Sequence, residues 1–122
     1  REDLPRILRA LDISVLASIE KEGLPVILVE SALMGVPSVM TDVAGIREVI
    51  RHGETGLLAP PGDASALAAA LLDALRDTSA ARSRAASARE FVRREFDVNN
   101  TAAQMDEVYL AVSSARGKAA AR

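Results

Sequence analysis

The sequence predicts an α/β fold, a small parallel sheet of about three strands with flanking helices and trailing C-terminal helices. Short apolar runs at 13–17, 38–41 and 56–59 alternate with segments of helical spacing. Strands alternating with helices argue for a parallel sheet with helices on its faces. Clusters of Gly, Pro and Asp stand between the runs, where turns belong. From Asp63 onward the spacing is that of helices alone.

Leu4, Ile7, Leu8 and Leu11 have the spacing of a short amphipathic helix. Ile13 to Ala17 reads as a buried strand, and Ser18 to Leu24 as the loop that leaves it. Pro25 suits a first helical position, where its missing N–H costs nothing. The following helix, Val26 to Met34, is apolar nearly all round, which predicts burial on most sides. It ends at Gly35, with Pro37 beyond. Ser38 to Thr41 is the second strand, Asp42 to Gly45 a tight loop, and Ile46 to Arg51 a short helix. His52 to Gly56 is a turn by composition, with His52 on the surface, and Gly56 to Ala59 the third strand. Asp63 is a good N-cap for a helix carrying Leu67, Leu71, Leu72 and Leu75 to near Asp77. A second helix begins near Ser79 with Ala81, Ala85, Ala88, Val92 and Phe96 inward. Its arginines (82, 84, 89, 93 and 94), interleaved with Glu90 and Glu95, form a solvated face. Asp97 can cap a last helix with Val98, Ala102, Met105, Tyr109 and Val112 on one side. Residues 113–122 lack periodicity and read as a flexible tail.

Composition excludes several functions. A net charge of −2 over 122 residues is not that of a general nucleic-acid binder. Without cysteine there is no disulfide or thiolate metal site, and one histidine cannot build a multi-His site. Phe91, Phe96 and Tyr109 are too few for a stacking platform. No apolar run approaches the length of a membrane span. The reading is a cytoplasmic chain, in its full-length form at the inner face of the membrane, needing no cofactor or metal.

The candidate site centres on Glu22 and Glu30, separated by seven residues. Ligands of parallel sheets bind in loops at the strands' carboxyl ends, and both the 18–24 and 42–45 loops belong to that edge. A lone carboxylate on a buried helix needs a partner. Glu30 therefore reads either as half of a buried ion pair with an arginine, which spacing alone favours, or as a cleft residue accepting ligand hydroxyls. Glu22 would stand at the mouth of the same cleft. The first-turn N–H groups of the helix would face an anion.

The ordered series Ser18, then after three intervening residues Glu22-Gly-Leu-Pro25, Glu30-Ser-Ala-Leu-Met-Gly35, Thr41-Asp-Val-Ala-Gly45, and Gly56-Leu-Leu followed by Pro-Pro-Gly-Asp63 resembles a known family. It is similar to the carboxyl-terminal signature of the family-4 (group 1) retaining glycosyltransferases, enzymes of the two-domain GT-B fold. The likeness spans about Asp3 to Val112. It implies residues 1–112 as the C-terminal portion of a nucleotide-sugar-binding domain, half of a Rossmann-like sheet. It implies that Glu22 touches hydroxyls of the transferred sugar. Backbone amides of Gly23, Leu24 and Val26 would approach sugar or diphosphate, and Glu30 would hold the ribose diol. A carboxylate has enough acceptor sites for two adjacent hydroxyls. Thr41, Gly45 and Glu48 match a loop lining the same cleft; loop and cap architecture explains them equally well.

Two departures qualify the likeness. Ala44 stands where the family usually has the first Gly of a pair, which puts close backbone contact there in question. The amino-terminal acceptor domain, the first half of the donor domain, and the cations those supply to the leaving diphosphate are not in this chain. No catalytic residue is assignable within it. The implied parent is a retaining glycosyltransferase of hexosyltransferase type, with a nucleotide-sugar donor and a sugar or lipid acceptor. This chain is expected to supply part of the donor site, to show no turnover alone, and to self-associate through the open edge of its first strand. The alternatives are another GT-B enzyme (a sugar epimerase or synthase) and a non-catalytic α/β interaction module. A phosphorylase-like enzyme would need a pyridoxal-binding lysine, and Lys21 and Lys118 do not match that role.

Overall fold

Three short strands, β1 (Ser14–Leu16), β2 (Ser38–Thr41) and β3 (Leu57–Ala59), form one sheet in chain order. Both pairings are parallel, as expected, with Ser14 opposite Ser38, Leu16 opposite Met40 and Thr41 opposite Ala59. The computed structural model describes residues 3–120, with side chains through 113. Its helices are α1 (Leu4–Arg9), α2 (Val26–Leu33), α3 (Ala64–Arg76), α4 (Thr78–Glu95) and α5 (Val98–Ala120). Residues 1–92 make one compact unit and 93–122 a second.

Alternation along the strands divides the helices between two faces. Val39 and Leu57 cluster with Ala74 of α3 and Ala81 of α4, with Ile13, Leu67, Ala70 and Leu71 packed around them. On the other face the buried Ser31 of α2 donates to Ser14 Oγ at 3.1 Å. Leu28, Ala32 and Met40 are fully buried. The alanines of α4 let that helix lie close, and Ala81, Ala85, Ala88 and Val92 are its buried stripe.

Cap chemistry sets several boundaries. Asp63 accepts from the Ala66 N–H at 2.9 Å, so α3 begins where the sequence predicts. Asp77 and Asp97 accept in the same way from Ala80 and Asn99. Gly35, at φ +73°, lets α2 close with two reversed bonds, Val36 N–H to Ser31 O and Gly35 N–H to Ala32 O.

Other expectations need correction. Pro25 is the N-cap of α2 rather than its first helical residue. That helix is buried on one side only, with Val26 68% exposed and Ile27 half-exposed. Among the described residues nothing pairs with β1 beyond its outer edge, so the cover an all-apolar helix predicts is not there. The helix expected over 46–51 is a single 3-10 turn, Ile46–Glu48. Beyond it the Thr55 hydroxyl donates to Val49 O and accepts from Arg51 N–H, bonds that draw this backbone into the turn. His52 is exposed as expected, yet its Nδ1 accepts from the Leu58 N–H at 3.0 Å and so anchors the start of β3. Arg84 leaves the solvated face: its side chain is mostly buried, with Nη2 3.8 Å from Asp73. The burial reaches the guanidinium itself: Nη2 is out of solvent with no hydrogen-bond partner among the described residues, held only by its ion pair with Asp73. α5 continues past Val112 to Ala120, where alanine at 115, 119 and 120 with Arg116 and Lys118 outweighs Gly117 and two serines. Residues 121–122, the rest of the expected tail, lie outside the described residues.

Candidate functional site

The loops that leave β1 and β2 meet at the carboxyl edge of the sheet. Thr41, the last residue of β2, is buried, and its hydroxyl donates to the Ser18 carbonyl at 2.7 Å, with Leu16 O at 3.3 Å. That bond fastens the exit of β1 to β2. Glu22 follows on the same loop, half-buried, with its backbone N–H donating to Ala44 O at 3.2 Å. The Ser18 hydroxyl donates to Glu22 Oε1. The carboxylate is thus tied at one oxygen, and Oε2 stays open to a ligand.

Gly45 explains how closely the loops approach. It lies at φ +88°, and a Cβ there would fall 2.0 Å from Gly23 O and 2.6 Å from Glu22 O. Only glycine fits. Ala44, the departure from the resemblance, is exposed and has no positive φ, while its carbonyl takes the Glu22 N–H. The alanine is tolerated because the close approach belongs to Gly45.

Gly23 is exposed, and a Cβ there would meet nothing within 4 Å, so its backbone is open to a ligand. Leu24 and Val26 are exposed beside it, and no side chain caps the first turn of α2. Glu30 lies one turn further along, half-buried. It lines a pocket of about 60 Å³ with Leu4, Pro5, Leu8, Leu33 and Met34, between α1 and α2. Among the described residues it makes no ion pair. The buried-pair reading of Glu30 is therefore corrected: the carboxylate is wet enough to stand alone.

Glu48 is exposed on the 3-10 turn and joins none of these contacts. Its neighbour Arg47 grips Asp42 with both arms of the guanidinium, Nε at 2.5 Å and Nη2 at 2.9 Å. These bonds hold the Asp42 carboxyl below the usual carboxylate range, outweighing its slight desolvation. Neither Ser18 nor the Asp42–Arg47 pair carried a role in the sequence reading, although Ser18 opens the signature, four residues before Glu22. A larger hollow of about 230 Å³ opens between Thr41, Ile19 and the start of α3. Its polar groups are already used, Thr41 by Ser18 and Asp63 as a cap, so it is an apolar recess.

Among the described residues no set of three or more His, Asp or Glu side chains could hold a metal. Nor is any described helix long and apolar enough to cross a membrane.

Residues 1–77 match the family model described as glycosyl transferases group 1. The N-acetyl-alpha-D-glucosaminyl L-malate synthase of Bacillus anthracis is 34% identical over 109 residues, 89% of this chain and 28% of that protein. A phosphatidyl-myo-inositol mannosyltransferase of Mycobacterium leprae is 36% identical over 91% of this chain and 29% of its own length. Among solved structures, Anabaena Alr3699/HepE, seen with UDP and with UDP-glucose, superimposes with a TM-score of 0.85 at 29% identity. That match covers 91% of this chain and 30% of the other. The C-terminal domain of a group 1 family protein (LpcC) from Francisella tularensis gives a TM-score of 0.71 at 26% identity, covering 79% of this chain and 49% of that one. The chain thus spans under a third of the length of the enzymes named first.

Proposed function

The chain belongs to the group 1 glycosyltransferases, and from that premise we propose that it forms the donor-binding edge of a retaining, GT-B enzyme. The parent, of hexosyltransferase type, would move a sugar from a nucleotide donor to a sugar or lipid acceptor. The observation that carries this reading is the succession of open groups from the loop after β1 into α2. These are a carboxylate oxygen of Glu22, the exposed backbone at Gly23 and Leu24, the uncapped first turn of α2 and, in the hollow between α1 and α2, Glu30, which makes no ion pair among the described residues. They suit, in that order, sugar hydroxyls, a diphosphate and a ribose diol. Carboxylates accept hydroxyl hydrogens, and helix N-termini favour phosphate. Thr41 and Gly45 serve this edge from behind, as the fastening and the close contact that shape the loops.

The chemistry divides accordingly. These residues bind and orient; they supply neither a nucleophile nor a base. Stabilising the departing diphosphate needs cations, and electrostatic stabilisation of this kind is usually the largest catalytic contribution. Arg47, on the turn after the 42–45 loop, is already committed to Asp42. The chain by itself therefore binds donor and does not turn it over. The rival interaction-module reading rested on a Glu30 ion pair, and none is found among the described residues.

NMR titration of the chain with UDP, GDP and ADP, repeated on Glu30→Ala, tests the proposal. Shifts at residues 22–30 that vanish in the variant, with folding intact, are expected, and the responding nucleotide names the base. No response to any of the three refutes donor binding by this edge.

A further inference from the structure

We propose that Ser18 is a positioning residue for Glu22, holding its carboxylate in the single conformer that meets the sugar. The inference rests on the donor-binding reading above. Glutamate has three rotatable side-chain bonds, and an exposed loop glutamate would ordinarily sample many rotamers. Here three bonds remove that freedom from two directions. The Glu22 backbone is fixed by its N–H to Ala44 O. The side chain is fixed by the Ser18 hydroxyl on Oε1. Ser18 is itself fixed, because its carbonyl accepts from the buried Thr41 hydroxyl at 2.7 Å. The chain of contacts thus runs from the last residue of β2 to the carboxylate, through one serine. Ser18 uses its only hydrogen on Oε1, and among the described residues Oε2 has no partner and is left for a ligand.

Pre-organisation of this kind raises affinity by removing the ordering cost of one long side chain. Losing it should weaken sugar-dependent binding by about three- to tenfold. The nucleotide portion, held elsewhere along the edge, should be unaffected.

The test compares UDP-glucose with UDP on the unsubstituted chain, Ser18→Ala, Ser18→Thr and Glu22→Gln, by calorimetric titration. Ser18→Ala is expected to weaken UDP-glucose by that factor and leave UDP unchanged. Ser18→Thr, which keeps the hydroxyl, restores most of the loss. Adding Ser18→Ala to Glu22→Gln brings no further loss. Equal weakening of both ligands would mean a general structural role and overturn the proposal, as would an unchanged UDP-glucose affinity. A ligand-free readout separates this idea from the reading beneath it. Three-bond couplings across Glu22 χ1 should report one rotamer in the unsubstituted chain and averaged rotamers in Ser18→Ala. Unchanged couplings overturn the positioning role whatever binds. Altered couplings with no binding of either ligand uphold the positioning and refute donor binding.

Discussion

Gly45→Ala should be among the most costly single-methyl additions in the loops. An alanine at φ +88° carries a conformational cost of about 1–2 kcal/mol. The added Cβ would also stand 2.0 Å from Gly23 O, where ordinary contact begins at 3.4 Å, so the loops must part by the difference, about 1.4 Å. The obstacle is backbone, which cannot swing aside as a side-chain tip can. Retreat on the other side is limited by Ile46, the next residue, which is fully buried. Parting the loops breaks the 3.2 Å bond from Glu22 N–H to Ala44 O, adding about 1 kcal/mol. The expected loss is about 2–3 kcal/mol. Gly53→Ala is the matched control: φ is +82°, but nothing lies within 4 Å of the added atom, so it should cost only the conformational part. Urea unfolding of the three proteins reads the difference from the midpoints at constant m-value. Equal losses in the two variants would refute the claim that loop-on-loop contact is what requires glycine at 45.

Asp63→Ala removes the α3 cap and should lower stability by about 1 kcal/mol, read by thermal melting; no change would show Ala66 N–H content with water. The Asp42 carboxyl lies lower when folded, so its contribution is full above its unfolded value and lost as pH falls through the folded one. The pair is solvent-exposed, so the effect is small and salt-sensitive. Carbon-detected titration should find the Asp42 midpoint raised in Arg47→Ala, and coincident curves would contradict the assignment. The outer edge of β1, unpaired among the described residues and carrying Val15 at 45% exposure, should promote self-association. A single monomeric species in equilibrium sedimentation across the micromolar range would count against that.

Features that depend on local chemistry were legible before any coordinates. Ser38–Thr41 reads as a strand because turns bound its apolar run, and Asp63 as a cap because a carboxylate precedes a leucine stripe. Glu30 stands out because it interrupts an apolar helix, and Glu22 because of its place in the ordered signature. What tertiary geometry decides was not legible. Val26 looks like core until the helix meets a sheet with an open edge. Ile46 to Arg51 looks like a helix until Thr55, several residues on, takes its backbone groups. Ser18 opens the signature, but its contact does not show in the sequence; it exists because Thr41 fastens the loop so that a hydroxyl faces a carboxylate. Gly45 could be read as loop composition, but not as the partner of Gly23 O.

The order of the strands also bears on how the chain folds. Each strand pairs with the one that precedes it, across 21 residues (17–37) for β1 and β2 and 15 (42–56) for β2 and β3. Closing such segments is inexpensive in entropy, since doubling a loop adds only about 0.6 kcal/mol. Parallel sheets are ordinarily slow to form because their partners are distant in the chain. Here the sheet can grow in the direction of synthesis, each new strand having a template already waiting beside it.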